Sequence, residues 1–582
     1  MLNQNKAAWS PRRRERNQGP SLFPWIRRET TFLIVVTAFI LFVFGIEIVM
    51  FHQLESTQNG DEPFGSTKNS RDLENDDSSV EHGLPEYLLP TVPILPLFDS
   101  VENANDYIAS LMEGRPSMAG IIALLQKFLA ELHEKNRERM KADEDGNKVF
   151  ENFYALVAKY LEPFDTAYRG QNIFPVRSDE SIFISLAAFR EHLLTETLVS
   201  AFKHAKNPDK VFVGAVIQNC FGKQLDDGTI DTSGTPCLTG PKKTGELQPN
   251  GKPVTKRMEV PPDVNGVVKF CGLPEYAKYC DNGQIRVVYI YDTDSQGPSM
   301  ARYYASKLWG GETYVMQIDA HLRFADQWDA KYIEDIKLTK NYPKSVLSTY
   351  PPGFDQLTFV PKSMKIDLSK TSNDTVIESP GCRLCGCGIP HDGKDGIIHI
   401  NQGISYHGDE KRPTQQPFLG AGYVFFRAEF LKDIPFDPYL PWTFMGEEIL
   451  LSMRAWTNGW NIYAPRRNLI IHQYRPGALG IPKFVGAVNS QAKKGFGNGW
   501  LQKKTIRRIK NLCGYPLHTT EKIEADGESF VLVNKESYGL GTVRSWDDYM
   551  ELGGLKVNTT TGAIDCTAGK RGPKWCNQGL VE

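Results

Sequence analysis

The feature that most constrains the fold is the alternation of apolar, β-branched runs with helix-forming segments from about residue 179 onward. Strand-like runs at 181–189, 211–218 and 285–291 alternate with helix-like segments such as 191–205. This alternation is typical of a mostly parallel sheet that is covered by helices on both faces. We therefore expect an α/β fold with a Rossmann-like sheet, whose ligands bind beyond the carboxyl ends of the strands.

Polar residues follow several of these strands at the edge where ligands would bind. Arg190 follows the first strand, Asp292 and Asp294 follow the run 285–291, and Asp319-Ala-His321 ends a further strand. In extended chain, side chains two positions apart lie on the same face. A carboxylate and an imidazole can together hold Mn²⁺ or Mg²⁺ and leave positions for phosphate oxygens. The alternative is a turn-forming aspartate beside a surface histidine.

A pair of acidic residues, Glu447 and Glu448, follows Gly446 at the start of an amphipathic helix-like segment, 447–456. Carboxylates at a helix N-terminus are stabilised by the helix dipole, which would be a purely structural explanation. Adjacent helical residues point about 100° apart, so we expect only one of the two to face a site.

The N-terminal region predicts a membrane anchor. An arginine-rich segment, 1–30, precedes an apolar run at 31–51 that is long enough to cross a bilayer. We expect a cytoplasmic tail, a single-pass type II signal anchor and a polar, then proline-rich, flexible stem at 52–98. A cleaved signal peptide is the alternative, but no small-residue cleavage site follows the apolar run.

The rest of the chain divides by composition into three parts. Helical patterning at 99–178 indicates a small subdomain or stem helices, 179–555 carries the strand and helix alternation, and 556–582 is a C-terminal tail. The segment 223–269, rich in Gly, Pro, Lys and Asp, is expected to be a loop insertion stapled by a disulfide. The formal net charge of -2 excludes an overall basic character of the nucleic-acid-binding kind.

The ten cysteines, an even number, are typical of an oxidising compartment, although spacing alone does not give their pairing. Cys382, Cys385 and Cys387 lie close together, with His391 nearby. Their ligand types also suit Zn²⁺, but disulfides are the commoner outcome in a secretory lumen.

Several sequence blocks together resemble the polypeptide α-N-acetylglucosaminyltransferase family, over roughly residues 180–555. The blocks are Phe189-Arg-Glu, Ala205-Lys-Asn-Pro-Asp-Lys, Gly297-Pro-Ser-Met-Ala-Arg302, Gln317-Ile-Asp-Ala-His-Leu-Arg-Phe324, Ser348-Thr-Tyr-Pro-Pro-Gly353, Gly420-Ala-Gly-Tyr, Pro435-Phe-Asp-Pro-Tyr-Leu-Pro441, Gly446-Glu-Glu-Ile-Leu-Leu-Ser-Met-Arg454, His472 and Tyr538-Gly-Leu-Gly-Thr-Val-Arg-Ser. The chain departs from the family pattern at Glu191, where an aspartate is expected after the arginine, and this departure puts a nucleotide role of that residue in doubt.

The resemblance implies a GT-A fold, a UDP-sugar donor, a divalent metal (Mn²⁺, or Mg²⁺) and retention of anomeric configuration. The implied metal ligands are Asp319, His321 and His472. The implied catalytic residues are Glu447 and Glu448, of which one would orient the acceptor hydroxyl or sugar. The candidate substrate and nucleotide contacts are Arg190, Asp292, Asp294, Arg302 and Trp442, because guanidinium groups suit phosphate oxygens and loop acids suit ribose hydroxyls.

The resulting hypothesis is a Golgi-membrane transferase that moves GlcNAc from UDP-GlcNAc to Ser/Thr or hydroxyproline hydroxyls of secretory proteins. The endoplasmic reticulum is the alternative location. Another UDP-hexose donor is the alternative within enzymes. A membrane-anchored binding protein on a degenerate transferase fold is the alternative from a different class.

Overall fold

The architecture was obtained from a computed structural model. It describes residues 101–141, 147–224, 230–231, 237–239, 242–353, 378–389, 396–401, 404–405, 411–474, 500–567 and 569–577. None of the helices in these ranges has the length and apolar composition needed to cross a bilayer. The predicted tail, anchor and stem, 1–98, lie outside the described residues.

An eight-stranded sheet with the order β6-β8-β5-β7-β4-β1-β2-β3 forms the centre of the fold. Its strands are β1 Ile182–Phe189, β2 Val211–Asn219, β3 Ile285–Tyr291, β4 Tyr314–Asp319, β5 Ser345–Ser348, β6 Thr414–Gln416, β7 Tyr423–Arg427 and β8 Asn461–Ala464. Smaller two-stranded ribbons pair Lys223–Gln224 with Ile230–Asp231, Cys237–Leu238 with Glu259–Val260, Lys242–Leu247 with Pro253–Lys256, Leu322–Phe324 with Ile470–His472, Ser379–Pro380 with Arg467–Asn468, Cys382–Arg383 with Ile404–Ser405, Cys387–Gly388 with His399–Ile400, and Leu555–Val557 with Ile564–Cys566.

The two halves of the sheet differ in strand direction. Strands β4, β1, β2 and β3 are parallel to one another, as the alternation of strands and helices predicts. In the other half, β7 inserts between β4 and β5 and runs antiparallel to both. β5 and β8 are parallel, whereas β6 and β8 are antiparallel. The sheet is therefore mixed. The sequence did not predict its antiparallel strands, because the apolar pattern of a buried strand such as β7 carries no information about the direction of that strand.

The described ranges contain sixteen α-helices. They are α1 Val101–Met112, α2 Met118–Lys141, α3 Asn147–Leu156, α4 Glu162–Ala167, α5 Leu194–Lys203, α6 Gly266–Cys271, α7 Ala277–Asp281, α8 Pro298–Lys307, α9 Trp328–Lys337, α10 Glu429–Asp433, α11 Glu447–Thr457, α12 Trp500–Leu512, α13 Thr520–Ala525, α14 Lys535–Tyr538, α15 Trp546–Gly553 and α16 Lys574–Asn577.

Alternate side chains of the central strands enter two separate apolar cores, as the two-residue period of a strand requires. Phe183 of β1 joins the core formed with α8, whereas Ile182 and Ile184 join the core formed with α5. Helices α1–α4 also contribute to the first core, for example through Phe128 and Phe153. The helical segment predicted at 99–178 therefore shares a core with the sheet.

A third core joins α11, α12 and α15 to the C-terminal residues. Two disulfides, Cys385–Cys576 and Cys387–Cys566, fasten the segment predicted as a C-terminal tail to the cysteine cluster. Because Cys385 and Cys387 are bonded in this way, their thiolates are not free to hold Zn²⁺. The disulfide Cys220–Cys237 staples the start of the insertion, as expected, and Cys271–Cys280 links α6 to α7.

Candidate functional site

The three predicted metal ligands meet at one edge of the sheet. Asp319 ends β4, and the chain continues through His321 into the ribbon Leu322–Phe324. His472 ends the partner strand of this ribbon and pairs with Leu322, so a distant segment returns to Asp319. A further β-bridge joins His472 to Gly353.

The ligand atoms of this triad lie close enough to share one cation. One atom each from Asp319, His321 and His472 lies within 4.8 Å of the others. Nε2 of His472 is 3.1 Å from Oδ2 of Asp319. Two ligands at right angles in an octahedral Mg²⁺ sphere are about 3 Å apart, so this pair fits a divalent ion without rearrangement. The donor set of one carboxylate and two imidazoles suits a first-row metal such as Mn²⁺.

The block Gly420-Ala-Gly422 allows the surrounding loops to approach the site closely. A Cβ on Gly422 would lie 3.1 Å from Oδ2 of Asp319, and one on Gly420 would lie 2.6 Å from the ring of Tyr350. The missing side chains thus leave room for the metal-binding carboxylate and for an aromatic ring.

Arg302 bridges two carboxylates of the site. It lies in α8, which begins after Gly297 in a glycine-compatible conformation (φ 97°) with Pro298 at its first position. Its Nη2 donates to Oδ1 of Asp319 at 3.0 Å, and its Nη1 donates to Glu447. Burial alone would raise the pKa of Asp319, but the hydrogen bond from His472 and the charge of Arg302 hold that pKa well below its usual range.

The two adjacent glutamates of α11 point in different directions, as predicted for neighbouring helical residues. Glu447 meets Arg302, whereas Glu448 accepts hydrogen bonds from the Tyr350 hydroxyl at 2.8 Å and the Ala421 amide at 2.9 Å. Burial raises the pKa of both carboxyl groups, to about 7 for Glu448. Gly446 directly precedes the helix, and a Cβ at this position would lie 2.9 Å from Ile397 and from Ile509.

Arg190 lies at the base of the insertion, in a left-handed conformation with φ 48°. Its Nε and Nη2 donate to Asp263 at 2.7 and 3.0 Å, and its Nη1 donates to the Leu238 carbonyl at 2.7 Å. Asp292 is 3.6 Å from the same guanidinium. Burial raises the pKa of Asp292 to about 6, although the charge of Arg190 opposes this rise. These two residues thus lie at the end of the sheet where a nucleotide would bind, and Arg190 is committed to an internal ion pair.

Two further predicted substrate contacts face the helical region. Asp294 pairs with His133 and accepts a hydrogen bond from Asn136 at 2.8 Å, both residues being on α2. Trp442 is 2 % exposed. Its ring centroid lies 5.0 Å from that of Phe150 and 5.4 Å from that of Phe153, so its ring packs against the helices.

The structure also brings to the site two residues that were not among the predicted site residues. For Glu191 the sequence left a nucleotide role in doubt, and for Tyr350 it gave no role. Glu191 contacts His321, and Tyr350 contacts Glu448. Tyr350 belongs to the Ser348–Gly353 block, which is a usable signal, whereas Glu191 and His321 are 130 residues apart in sequence. No spacing pattern predicts that contact.

Comparison with known proteins gives one extensive match. The sequence family described as "Glycosyltransferase (GlcNAc)" matches residues 181–559, more than half of the chain. A comparison with curated protein sequences finds no match.

Similar solved structures are distant. GalNAc-T7 with UDP, GalNAc and Mn²⁺ has 12% sequence identity and a TM-score of 0.35, with 64% of this chain covered. The match spans 56% of the GalNAc-T7 chain. Staphylococcus aureus TarS 1-349 with UDP has 12% identity and a TM-score of 0.26, with 66% of this chain and 95% of that chain covered. The family match therefore carries the assignment, and on that ground the chain belongs to the glycosyltransferase (GlcNAc) family.

Proposed function

We propose that the protein is a metal-dependent, retaining glycosyltransferase of the GT-A type. It transfers GlcNAc from UDP-GlcNAc to Ser/Thr or hydroxyproline hydroxyls of secretory proteins. The observation that carries this proposal is the triad Asp319, His321 and His472, whose ligand atoms lie within 4.8 Å of one another at the carboxyl edge of the sheet. Ligands of such sheets bind at this edge, so the triad lies where a nucleotide diphosphate would be expected.

The side chains around the triad have separable roles in this reaction. Asp319, His321 and His472 would hold Mn²⁺ or Mg²⁺, which as a Lewis acid offsets negative charge on the departing UDP. Arg302 holds the carboxylates of Asp319 and Glu447 in fixed positions. In this proposal, Glu447 orients the acceptor hydroxyl or the sugar. The carboxyl of Glu448, with a pKa of about 7, can accept or release a proton near neutral pH.

The proposed location is the Golgi lumen, with the chain anchored through residues 31–51 as a type II membrane protein. The four disulfides among the described residues support an oxidising compartment. The donor and the acceptor protein would both be secretory-pathway molecules.

The test is UDP release by the purified full-length chain with UDP-GlcNAc, UDP-GalNAc, UDP-Gal or UDP-Glc, with Mn²⁺ or with EDTA. We expect release from UDP-GlcNAc that EDTA abolishes and that Asp319→Asn removes. Asp209→Asn is the matched control. The carboxylate of Asp209 is 80% exposed, and its ion pair with Lys278 is long, at 3.9 Å. Preference for another sugar would replace the proposed donor. Release that persists in EDTA and in Asp319→Asn would contradict the metal-dependent mechanism.

A further inference from the structure

Glu191 occupies a buried position directly behind one of the metal ligands. It follows β1 and is 7 % exposed. One carboxylate oxygen, Oε1, accepts a hydrogen bond from the Leu193 amide at 2.9 Å. The other, Oε2, lies 2.7 Å from Nδ1 of His321. Both oxygens are therefore engaged within the protein, which directs this side chain away from the nucleotide role expected of the aspartate in the family pattern.

The contact with His321 determines which nitrogen of the imidazole is available to a metal. A neutral imidazole carries one N–H, and an ionised carboxylate can only accept a hydrogen bond. Oε2 of Glu191 therefore holds the proton on Nδ1 and leaves the lone pair of Nε2 free. The rings of His321 and His472 are 4.6 Å apart between centroids, so a fixed His321 ring also fixes its position relative to the second imidazole ligand.

We propose that Glu191 is a positioning residue of the metal site, which selects the metal-binding tautomer of His321 and fixes the orientation of its ring. This inference rests on the proposed metal-dependent function and deepens it. Carboxylates that hold a metal-ligating histidine in this way contribute about 10- to 100-fold in metal affinity. The extra methylene of Glu191 relative to aspartate gives the carboxylate the reach to contact Nδ1.

The substitution Glu191→Gln tests this role with little change in shape. The amide oxygen of Gln can keep the hydrogen bond from Leu193, and its NH₂ group then faces Nδ1 of His321. This arrangement favours the tautomer with the proton on Nε2. In that tautomer Nε2 has no free lone pair and cannot bind a metal, and Nδ1 accepts the hydrogen bond from the amide. We expect the Mn²⁺ dissociation constant of the purified full-length chain to rise about 10- to 100-fold, with an unchanged melting temperature. The electron paramagnetic resonance signal of free Mn²⁺, without UDP-sugar, measures it directly.

Asp326→Asn is the matched control, because Asp326 also pairs its carboxylate with Nδ1 of a histidine, His204, outside the triad. It should leave Mn²⁺ affinity unchanged. Glu191→Asp, which keeps the charge but loses the reach, should weaken Mn²⁺ binding as Glu191→Gln does. Unchanged affinity in either Glu191 variant, or an equal loss in Asp326→Asn, would overturn the positioning role. A wild-type chain that does not bind Mn²⁺ would overturn the proposed metal site and this inference with it, whereas binding by the wild type with normal affinity in Glu191→Gln refutes the inference alone.

Discussion

Two buried clusters of charged residues in this protein contain similar residue types but differ in how their carboxylates and guanidinium groups are paired. Asp437 and Arg508 form a buried pair, with hydrogen bonds of 2.8 and 3.2 Å. Arg508 also donates to the carbonyls of Val531 at 2.9 Å and Val533 at 2.7 Å. One carboxylate is hydrogen-bonded to one guanidinium, and all three nitrogens of that guanidinium have partners. Such a pair holds elements of the fold together and has no capacity left for a ligand.

The cluster at the site is unbalanced. A single guanidinium, Arg302, contacts two carboxylates, Asp319 and Glu447. Within the described part of the chain, three buried atoms of this cluster have no hydrogen-bond partner: Nε of Arg302, Oε1 of Glu447 and Nδ1 of His472. An unpaired buried polar atom costs about 1–3 kcal/mol, and a bound ligand that supplies the missing partners would relieve this cost. The comparison teaches that balance and completeness of hydrogen bonding separate a structural cluster from one arranged for a ligand.

The largest effect should follow removal of a metal-ligand charge from the unbalanced cluster. Asp319→Asn should lower the rate of sugar transfer about 1,000-fold, because the loss of Lewis-acid stabilisation is worth several kcal/mol. Its melting temperature should change much less than that of a variant in the balanced pair. UDP release at saturating donor measures the rate. Full activity of Asp319→Asn would contradict the view that the cluster around Asp319 is arranged for a ligand.

The balanced pair should show the opposite behaviour. Asp437→Asn leaves the buried Arg508 without its counter-charge, so we expect the free energy of unfolding to fall by about 3 kcal/mol. Transfer activity per folded molecule should remain near the wild-type value. Denaturant titration measures the loss, with Glu113→Gln as a control, because its carboxylate is 61% exposed and should change stability by about 0.5 kcal/mol or less. A specific loss of activity in folded Asp437→Asn would show that the two clusters are coupled.

A third prediction concerns pH and Glu448. Its folded-state pKa of about 7 exceeds the ordinary 4.5, so the folded state binds the proton more strongly than the unfolded state. The free energy of unfolding therefore falls as pH rises from about 4.5 to 7, and the cost of burying the charge is fully present above pH 7. Glu448→Gln removes this cost and should stabilise the protein by about 2 kcal/mol at pH 8, with little effect near pH 4.5.

Denaturant titrations at the two pH values measure this difference. The exposed Glu113→Gln variant should show no comparable rise. A stabilisation by Glu448→Gln that is equal at both pH values would show that the buried charge is not its cause.

Parts of this site could be predicted from local sequence, because they depend on short-range periodicity. Asp319 and His321 are two residues apart in extended chain, and the parallel strands β1–β4 follow from buried runs that alternate with helices. His472 joined the triad through the family resemblance, since the ribbon that returns it to Leu322 is a long-range pairing.

Other features depend on tertiary contacts that carry no local signal. The pattern of an aromatic residue does not distinguish a cleft from a core, and Trp442 is in the core. The helical region resembles a stem in isolation, yet His133 and Asn136 contact Asp294 at the end of β3. Disulfide pairing among ten cysteines cannot be deduced from spacing, so the attachment of the C-terminal segment to Cys385 and Cys387 was not predictable.

The smallest effect on transfer should come from replacing arginine by lysine in each cluster. This pair of substitutions also separates a role in activity from a role in stability. Lysine keeps the charge of arginine but cannot bridge two groups with fixed geometry. Arg302→Lys should therefore lower transfer about 10-fold, roughly 1.4 kcal/mol, because Asp319 and Glu447 are no longer held together. Arg508→Lys should lower the unfolding free energy and leave the activity of the folded protein unchanged. If Arg302→Lys instead lowers only the unfolding free energy, as expected of Arg508→Lys, then the bridge from Arg302 to Asp319 and Glu447 serves stability alone. Asp319 would then contribute to transfer without the help of Arg302.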